Sequence, residues 1–458
     1  MKRLIDQLFN DPKFKKGSSL LVEAIQDLGS SFKKPKPGDP EYLKTLSNWI
    51  NELRGRPLIH PAIGSGMGQG IYQEMADGSI KIDFTTNIGV YFFGHNDPDL
   101  VETAIQAACK DVAMQGTIQQ LEDYGRFLEI LIKNAGGRIV QGWPCLTGSD
   151  ANDNALKIIR QKKSPASKII SFQHSFHGRN TGLMEITDNP LMREGQPTFG
   201  VVHYIPFYNP KEGDASIKKS LKALRDILEK EEGKIAGFIF ELMQGEGGFR
   251  FAPREFFVPL MEECKKEGIA VWIDEVQTCG RTGELFAYQT FKLEEYIDVV
   301  TCGKMFQNCA TLWTKEYAPK PGLIAGTFGG STSSLMVGRR IIERLLNEGF
   351  LGPRGKIVMI GERVKKGLND LNKRLKRGRI NQIEGIGCMV AFIPNDGSAL
   401  LIDALIQKAF ENGLILWKAG RFAPFQIRLM IPGGSLTEEG LEQALDILAT
   451  SLDEVTAP

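Results

Sequence analysis

The stretch VWIDEVQTCGRTG, residues 271–283, runs three apolar residues straight into two carboxylates, Asp274 and Glu275. A continuous apolar run bounded by polar residues is the pattern of a strand covered on both faces. An acid at the end of such a strand is costly unless a cation meets it. The same pattern recurs nearby in KIISF (168–172), IAGFIFEL (235–242) and DVVTCG (298–303). Between these runs lie helical stretches. IKKSLKALRDILEKEEG (217–233) sets Leu221, Leu224, Ile227 and Leu228 on one face, and REFFVPLMEECKKEG (254–268) ends at a glycine stop. Strand, helix and strand in succession predict an α/β domain with a mainly parallel sheet, spanning 81–338.

Outward from that core the pattern changes. RRIIERLLNEG (339–349) and KGLNDLNKRL (366–375) read as helices, followed by strand-like CMVAFI (388–393), LILW (414–417) and FQIRLMI (425–431). A final helix in TEEGLEQALDILATSL (437–452) takes Thr437 as N-cap, with Glu438 and Glu439 in the turn where the helix dipole favours negative charge. Residues 339–458 are therefore expected to form a smaller α+β domain. Residues 1–80 are expected to join it, with KKPKPGDP (33–40) as an exposed loop after an N-terminal helix.

The totals exclude several function classes. The chain has 458 residues, 42% hydrophobic and 24% charged, with 56 basic against 55 acidic side chains. That balance argues against general affinity for nucleic acid or anionic membrane. The basic run NKRLKRGR (372–379) is expected to be a solvated helix end. Seven dispersed cysteines, without C-x-x-C pairs or metal-type spacing, read as free thiols in a reducing compartment, and no metal site is expected. Charges interrupt the first residues too often for a signal peptide, and no apolar run reaches spanning length, so a cytoplasmic protein is expected.

Ligands of open α/β sheets sit at the carboxyl ends of the strands. Asp274 ends one strand and Lys304, in DVVTCGK, ends another. A poorly hydrated lysine there is a nucleophile for carbonyls. In PCLTGSDANDNALKIIR (144–160) a turn of small residues, Thr147-Gly148-Ser149, opens a helix whose free N–H groups suit an anion. Phosphate loop, strand-end acid and strand-end lysine together match the needs of pyridoxal 5'-phosphate. Lys304 would form a Schiff base with its aldehyde. Asp274 would pair with the pyridine nitrogen, so the cation that answers the buried acid is the cofactor's own ring.

DEVQTCGRTGELFAYQ followed by DVVTCGK resembles the class-III, fold-type I pyridoxal-phosphate aminotransferases. So do TGSDANDNALK, SFHGR (175–179), ELMQGEGG (241–248), GTFGGST (326–332) and IRLMIPGG (427–434), which stand in the family's order. The resemblance implies that Phe176 and Val276 cover the two ring faces, that Gln277 bonds the ring oxygen, and that Gly148 and Ser149 bind the phosphate. It implies a homodimer in which Thr327 reaches the neighbouring site. Arg179 would read a distal carboxylate and Arg428 an α-carboxylate, with Glu246 swinging against the second arginine between half-reactions. His177 has no assigned role beyond a packed or hydrogen-bonded histidine.

The implied reaction moves an amino group by ping-pong chemistry from an ω-amino donor to a 2-oxo acid such as 2-oxoglutarate. The motifs sit nearest the lysine 6-aminotransferase and 4-aminobutyrate aminotransferase branch. Ornithine, acetylornithine or diamine aminotransferase, aminomutase, and a non-catalytic binding scaffold are the alternatives. The chain departs from the pattern at Cys279, where glycine is common, in ELMQ, and in GKMFQNCATLWT, which lacks a glycine-rich run after the lysine.

Overall fold

The strand that contains the opening stretch, Ala270–Glu275, is buried along its whole length. The structure is a computed structural model describing residues 3–60 and 62–456. The chain forms two units: residues 107–358, and a terminal unit built from residues 1–106 and 359–458. From sequence the boundaries were set instead at 80/81 and 338/339.

The central unit is organised by seven strands: β1 (Ile139–Cys145), β2 (Lys168–Phe172), β3 (Val202–Ile205), β4 (Ile235–Phe240), β5 (Ala270–Glu275), β6 (Val299–Cys302) and β7 (Cys309–Thr314). Their order in the sheet is β1-β7-β6-β5-β4-β2-β3. β3, β2, β4, β5 and β6 run parallel, and β7 runs antiparallel to both β6 and β1. β4, β5 and β6 are buried at every position, which is why their sequences are continuously apolar instead of alternating. The core against this sheet is rich in aromatic rings. Phe172 meets Phe207, Phe238, Phe240 and Phe256 at centroid distances of 5.0–5.6 Å. Trp272 is fully buried among Ile158, Ile159 and Val299.

Three helices follow strands of this sheet: α1 (Gly148–Lys163), α2 (Asp214–Lys230) and α3 (Arg254–Lys266). α1 begins directly beyond the carboxyl end of β1. Its N-cap Thr147 accepts a hydrogen bond from the Asp150 N–H at 3.1 Å. The sequence reading missed β1, β3 and β7. Gly142 and Pro144 break the strand signal in β1, and Cys309 and Ala310 weaken its start in β7.

The terminal unit holds two four-stranded sheets. One contains Gly64–Gln69, Tyr72–Met75, Ile80–Asp83 and Leu414–Ile415, and the other Ile380–Ile386, Met389–Pro394, Trp417–Ala419 and Gln426–Met430. LILW, expected as one strand, is thus split between the two sheets. The N-terminal region carries three helices, Leu4–Asn10, Pro12–Gly29 and Pro40–Arg54. Thr437 caps the final helix by accepting from the Gly440 N–H.

The basic run at 372–379 starts at the end of the helix Lys356–Leu371, whose last turn is continued by the N–H groups of Lys373, Arg374 and Leu375 bonding to Asp370 and Leu371. The run then continues as a loop held by acids of the last helix. The backbone N–H groups of Lys376, Arg377 and Gly378 donate to the Asp453 carboxylate, and Arg374 pairs with Asp446 at 2.7 Å. Three backbone donors on one carboxylate outweigh the helical propensity of a lysine-rich run. No helix among the described residues is long and apolar enough to cross a membrane.

Candidate active site

Asp274 and Lys304 stand at the same edge of the sheet on neighbouring parallel strands. Asp274 of β5 faces Thr301 of β6 in the register, and Lys304 follows β6 by two residues. Asn152, on the inner face of α1, ties the two strands together. Its Nδ2 donates to Asp274 Oδ2 at 2.8 Å, and its Oδ1 accepts from the Thr301 hydroxyl at 2.6 Å. The His177 Nδ1 lies 2.8 Å from the same Asp274 oxygen, and its Nε2 is 3.2 Å from Ser171 Oγ. The other Asp274 oxygen accepts from the Val276 N–H at 3.0 Å. Asp274 is 5% exposed and His177 1% exposed, so these bonds are made away from bulk water, where each counts for more.

Sequence reading gave His177 no function, and Asn152 and Thr301 went unnoticed. Asn152 did carry a signal. Asparagine is a weak helix former, and here it occupies an otherwise apolar helical face with Ala151, Ala155 and Leu156. His177 had none, because its partner lies 97 residues away.

Lys304 has φ 44°, a left-handed backbone conformation that side chains other than glycine rarely adopt. Such strain is held in place by its surroundings. A Cβ on the preceding Gly303 would lie 2.2 Å from Cys309 Sγ, and the Cys279 thiol donates to the Gly303 carbonyl at 3.3 Å. The buried thiols therefore pack the lysine's turn. Burial pushes the Cys309 thiol up to about 12. The backbone and ammonium of Lys304 pull against that rise, and Asp150 and Asp274 reinforce it, so all four groups share one electrostatic neighbourhood.

The phosphate-loop residues meet the ring-stacking segment at the start of α1. Ser149 Oγ accepts from the Arg179 N–H at 3.4 Å. Gly178, at φ 116°, lies so near that a Cβ there would be 2.5 Å from Ser149 Oγ. A Cβ on Gly148 would be 2.5 Å from Val276 Cγ1. Both glycines keep a cradle open at a helix terminus whose first N–H groups have no intrahelical acceptor. Phe176 is half-buried beside this cradle, and its N–H donates to Glu241 Oε2 at 3.1 Å. Glu241 Oε1 accepts from the Gly245 N–H at 2.9 Å, so one carboxylate links the Phe176 segment to the turn that carries Glu246. Burial pushes Glu241 up to about 7; His177 draws it down and Asp274 adds to the rise. Glu246 itself is half-buried between the short strands Met243–Gln244 and Arg250–Phe251.

Of the expected site residues, all but one lie in the central unit; Arg428 belongs to the terminal unit. There it is 1% exposed, on the strand Gln426–Met430 opposite Ala391 and Trp417. Thr327 and Arg179 are exposed. The Thr327 loop is held by Thr117, whose N–H and hydroxyl both donate to the Gly326 carbonyl at 3.0 Å.

These residues fit pyridoxal phosphate. A helix terminus with two open glycine positions suits a phosphate, and a buried carboxylate fixed by two neighbours suits a protonated ring nitrogen. Gln277 Oε1 is buried without a hydrogen-bond partner, an acceptor suited to a ring hydroxyl. Among the described residues no group of three His, Cys, Asp or Glu side chains could hold a metal ion.

The neighbouring Glu275 yields a prediction about pH. It is fully buried, accepts from the Tyr288 N–H at 2.9 Å and from the Thr278 hydroxyl, and burial pushes it from 4.5 up to about 7. A raised folded-state value means the folded protein holds a proton that the unfolded chain has released. Stability from this group is complete below pH 4.5 and is lost as pH rises to about 7. Glu275→Gln removes that titration. Its stability relative to the native protein is expected to improve by about 2–3 kcal/mol between pH 5 and pH 8. Urea unfolding of both proteins at the two pH values measures this, and a constant difference rejects it.

The aminotransferase class-III family profile matches residues 60–452. The chain is 30% identical to the mitochondrial acetylornithine aminotransferase of Candida glabrata, over 82% of this chain and 86% of that one. It is likewise 30% identical to the acetylornithine aminotransferase of Bacillus subtilis, over 84% and 93%. Among solved structures, the lysine aminotransferase of M. tuberculosis superposes with a TM-score of 0.78 at 23% identity, covering 90% of this chain and all of that one.

Proposed function

Because the chain belongs to the class-III aminotransferases, enzymes that use pyridoxal 5'-phosphate, we propose that it transfers an amino group from an ω-amino donor to a 2-oxo acid. The observation that carries this reading is the placement of Asp274 and Lys304 at the carboxyl ends of adjacent parallel strands, which Asn152 ties together by bonding Asp274 on one and Thr301 on the other. The bound cofactor supplies an aldehyde for the amine and a ring that accepts the electron pair released at the substrate carbon.

The residues then divide the work. Lys304 would hold the cofactor through its amine and would serve as the base and acid that moves a proton. Asp274, whose orientation Asn152 and His177 fix, would keep the ring nitrogen protonated. Phe176 and Val276 would hold the cofactor ring between them and exclude water. Gln277 would accept from the ring hydroxyl, and Gly148 and Ser149 would offer backbone N–H groups to the phosphate. Arg179 would read a carboxylate through its planar fork; Arg428, in the terminal unit, is the second candidate carboxylate reader and Glu246 the candidate swinging acid by the family resemblance.

The donor is an amino acid whose reacting amine lies far from its carboxylate. Motif content favours lysine or 4-aminobutyrate. The identity to acetylornithine aminotransferases supports acetylornithine or ornithine equally well. The proposed active form is a homodimer. Its support is the exposed Thr327 loop, where Phe328 is 54% and Ile118 98% exposed, large apolar surfaces beside a residue the family shares across subunits. Seven cysteines without a disulfide support a cytoplasmic location, and the charge balance supports small-molecule partners over nucleic acid.

The test is a donor screen. Lysine, 4-aminobutyrate, ornithine and acetylornithine are each paired with 2-oxoglutarate and with pyruvate, and the oxo product is measured. One ω-amino donor is expected to exceed alanine by about 100-fold or more in kcat/KM. Failure of all four, with the yellow cofactor band intact, rejects the ω-amino reading. A protein that gains no band with added pyridoxal phosphate would instead be a binding scaffold.

A further inference from the structure

The terminal unit contains a cavity of about 480 Å³, bounded by the helix Pro40–Arg54, the hairpin that includes Lys81, and the helix Ala399–Asn412. That volume lies within the range of small-molecule sites. None of its lining residues belongs to the unit that carries Lys304 and Asp274. Its apolar wall is formed by Pro37, Pro40, Leu43 and Phe410. Leu43 and Phe410 belong to a buried cluster with Met75 and Ile415, so that wall has a packed core behind it.

One lining group is out of place in such a wall. Lys81 is 5% exposed, and its ammonium lies 4.6 Å from the centroid of the Phe410 ring. A buried ammonium calls for an anion. Two acids line the same cavity, but each is satisfied elsewhere. Asp77 Oδ1 accepts from the Ser79 N–H at 3.0 Å and its hydroxyl at 2.7 Å. Glu411 pairs with Lys408 at 2.7 Å and accepts from Gln407 at 3.0 Å. Neither forms an ion pair with Lys81. Burial draws the Lys81 ammonium below its ordinary range, and Asp77 and Glu411 recover only part of that. Lys44, exposed on the rim, adds a second positive charge.

We propose that this cavity binds a small monocarboxylate with an aliphatic or aryl body, its carboxylate on Lys81 and its body against Leu43 and Phe410. A single buried lysine without an arginine fork, beside a helix start whose Glu41 and Tyr42 N–H groups already donate to Asp39, suits a carboxylate better than a phosphate. The cation–π contact with Phe410 leaves the ammonium's N–H donors available to an acceptor. The site is independent of the proposed reaction.

The experiment uses the cofactor-loaded enzyme and 3-phenylpropionate as probe, with binding followed by calorimetry and the visible cofactor band recorded in parallel. Saturable binding that leaves the band unchanged is expected. Lys81→Met, which keeps the side-chain length without the charge, should weaken it by at least about tenfold, and the neutral analogue 3-phenylpropanol should bind about tenfold less tightly than the acid. Equal affinity in Lys81→Met, or binding that shifts the cofactor band, overturns the proposal. Should Lys81→Met fail to fold, amine labelling of the native enzyme decides the matter. Protection of Lys81 by 3-phenylpropionate, read by peptide mass spectrometry, supports the site, and labelling unaffected by the acid overturns it.

Discussion

Lys304→Ala is expected to lower kcat by about 10⁴-fold or more while leaving the fold intact. The lysine is half-buried and lies outside the hydrophobic core, so removing its side chain leaves no large cavity. Its backbone is held in the left-handed region by the packing of Gly303 on Cys309, which the substitution does not touch. The loss therefore falls on chemistry. Two roles disappear together, the covalent anchor and the proton carrier, and such paired roles are not additive. Borohydride reduction followed by peptide mapping separates them from a folding defect. The native enzyme should carry the cofactor mass on the peptide containing residue 304, and the variant should carry none while still binding cofactor through the phosphate loop and Asp274. Turnover near the native level would remove Lys304 from the mechanism.

The parts of this enzyme that could be read from sequence are those where one physical demand dominates a short stretch. β5 and β6 are buried on both faces, so their apolar runs and their polar ends were plain. The Thr147 cap and the small-residue turn before α1 were equally local. What escaped notice depends on distant partners. His177 and Asn152 converge on one carboxylate from two separate segments, Thr301 bonds Asn152 from a third, and only the sheet order brings them there. Glu241 carries no role by sequence, yet its buried carboxylate joins the Phe176 segment to the 245–248 turn. The antiparallel β7 was hidden because it opens on Cys309 and Ala310, two weak strand formers. Lys81, one charged residue within a hairpin, gave no hint of a cavity until a helix near each end of the chain closed around it.

Asp274→Asn is expected to reduce kcat/KM by about 10³-fold, the scale set by removal of one preorganised charge from a dry site. The exchange keeps the shape and removes the negative charge. It also sets an amide where Asp274 Oδ2 now accepts from both Asn152 and His177, each at 2.8 Å. If the new amide nitrogen turns toward them, donors face donors. If it turns away, the Val276 N–H loses its acceptor. Either arrangement loosens the group that faces the ring, so part of the loss is positional. Charge and position can be separated chemically. A cofactor analogue methylated on the ring nitrogen carries its positive charge without help from a carboxylate. Loaded into Asp274→Asn, it should restore activity by about tenfold or more, because the charge is replaced although the network is not. In the native enzyme the same analogue should give no gain. Absence of rescue in the variant would mean that Asp274 acts by holding His177 and Asn152 in place, and that its charge on the ring nitrogen is secondary.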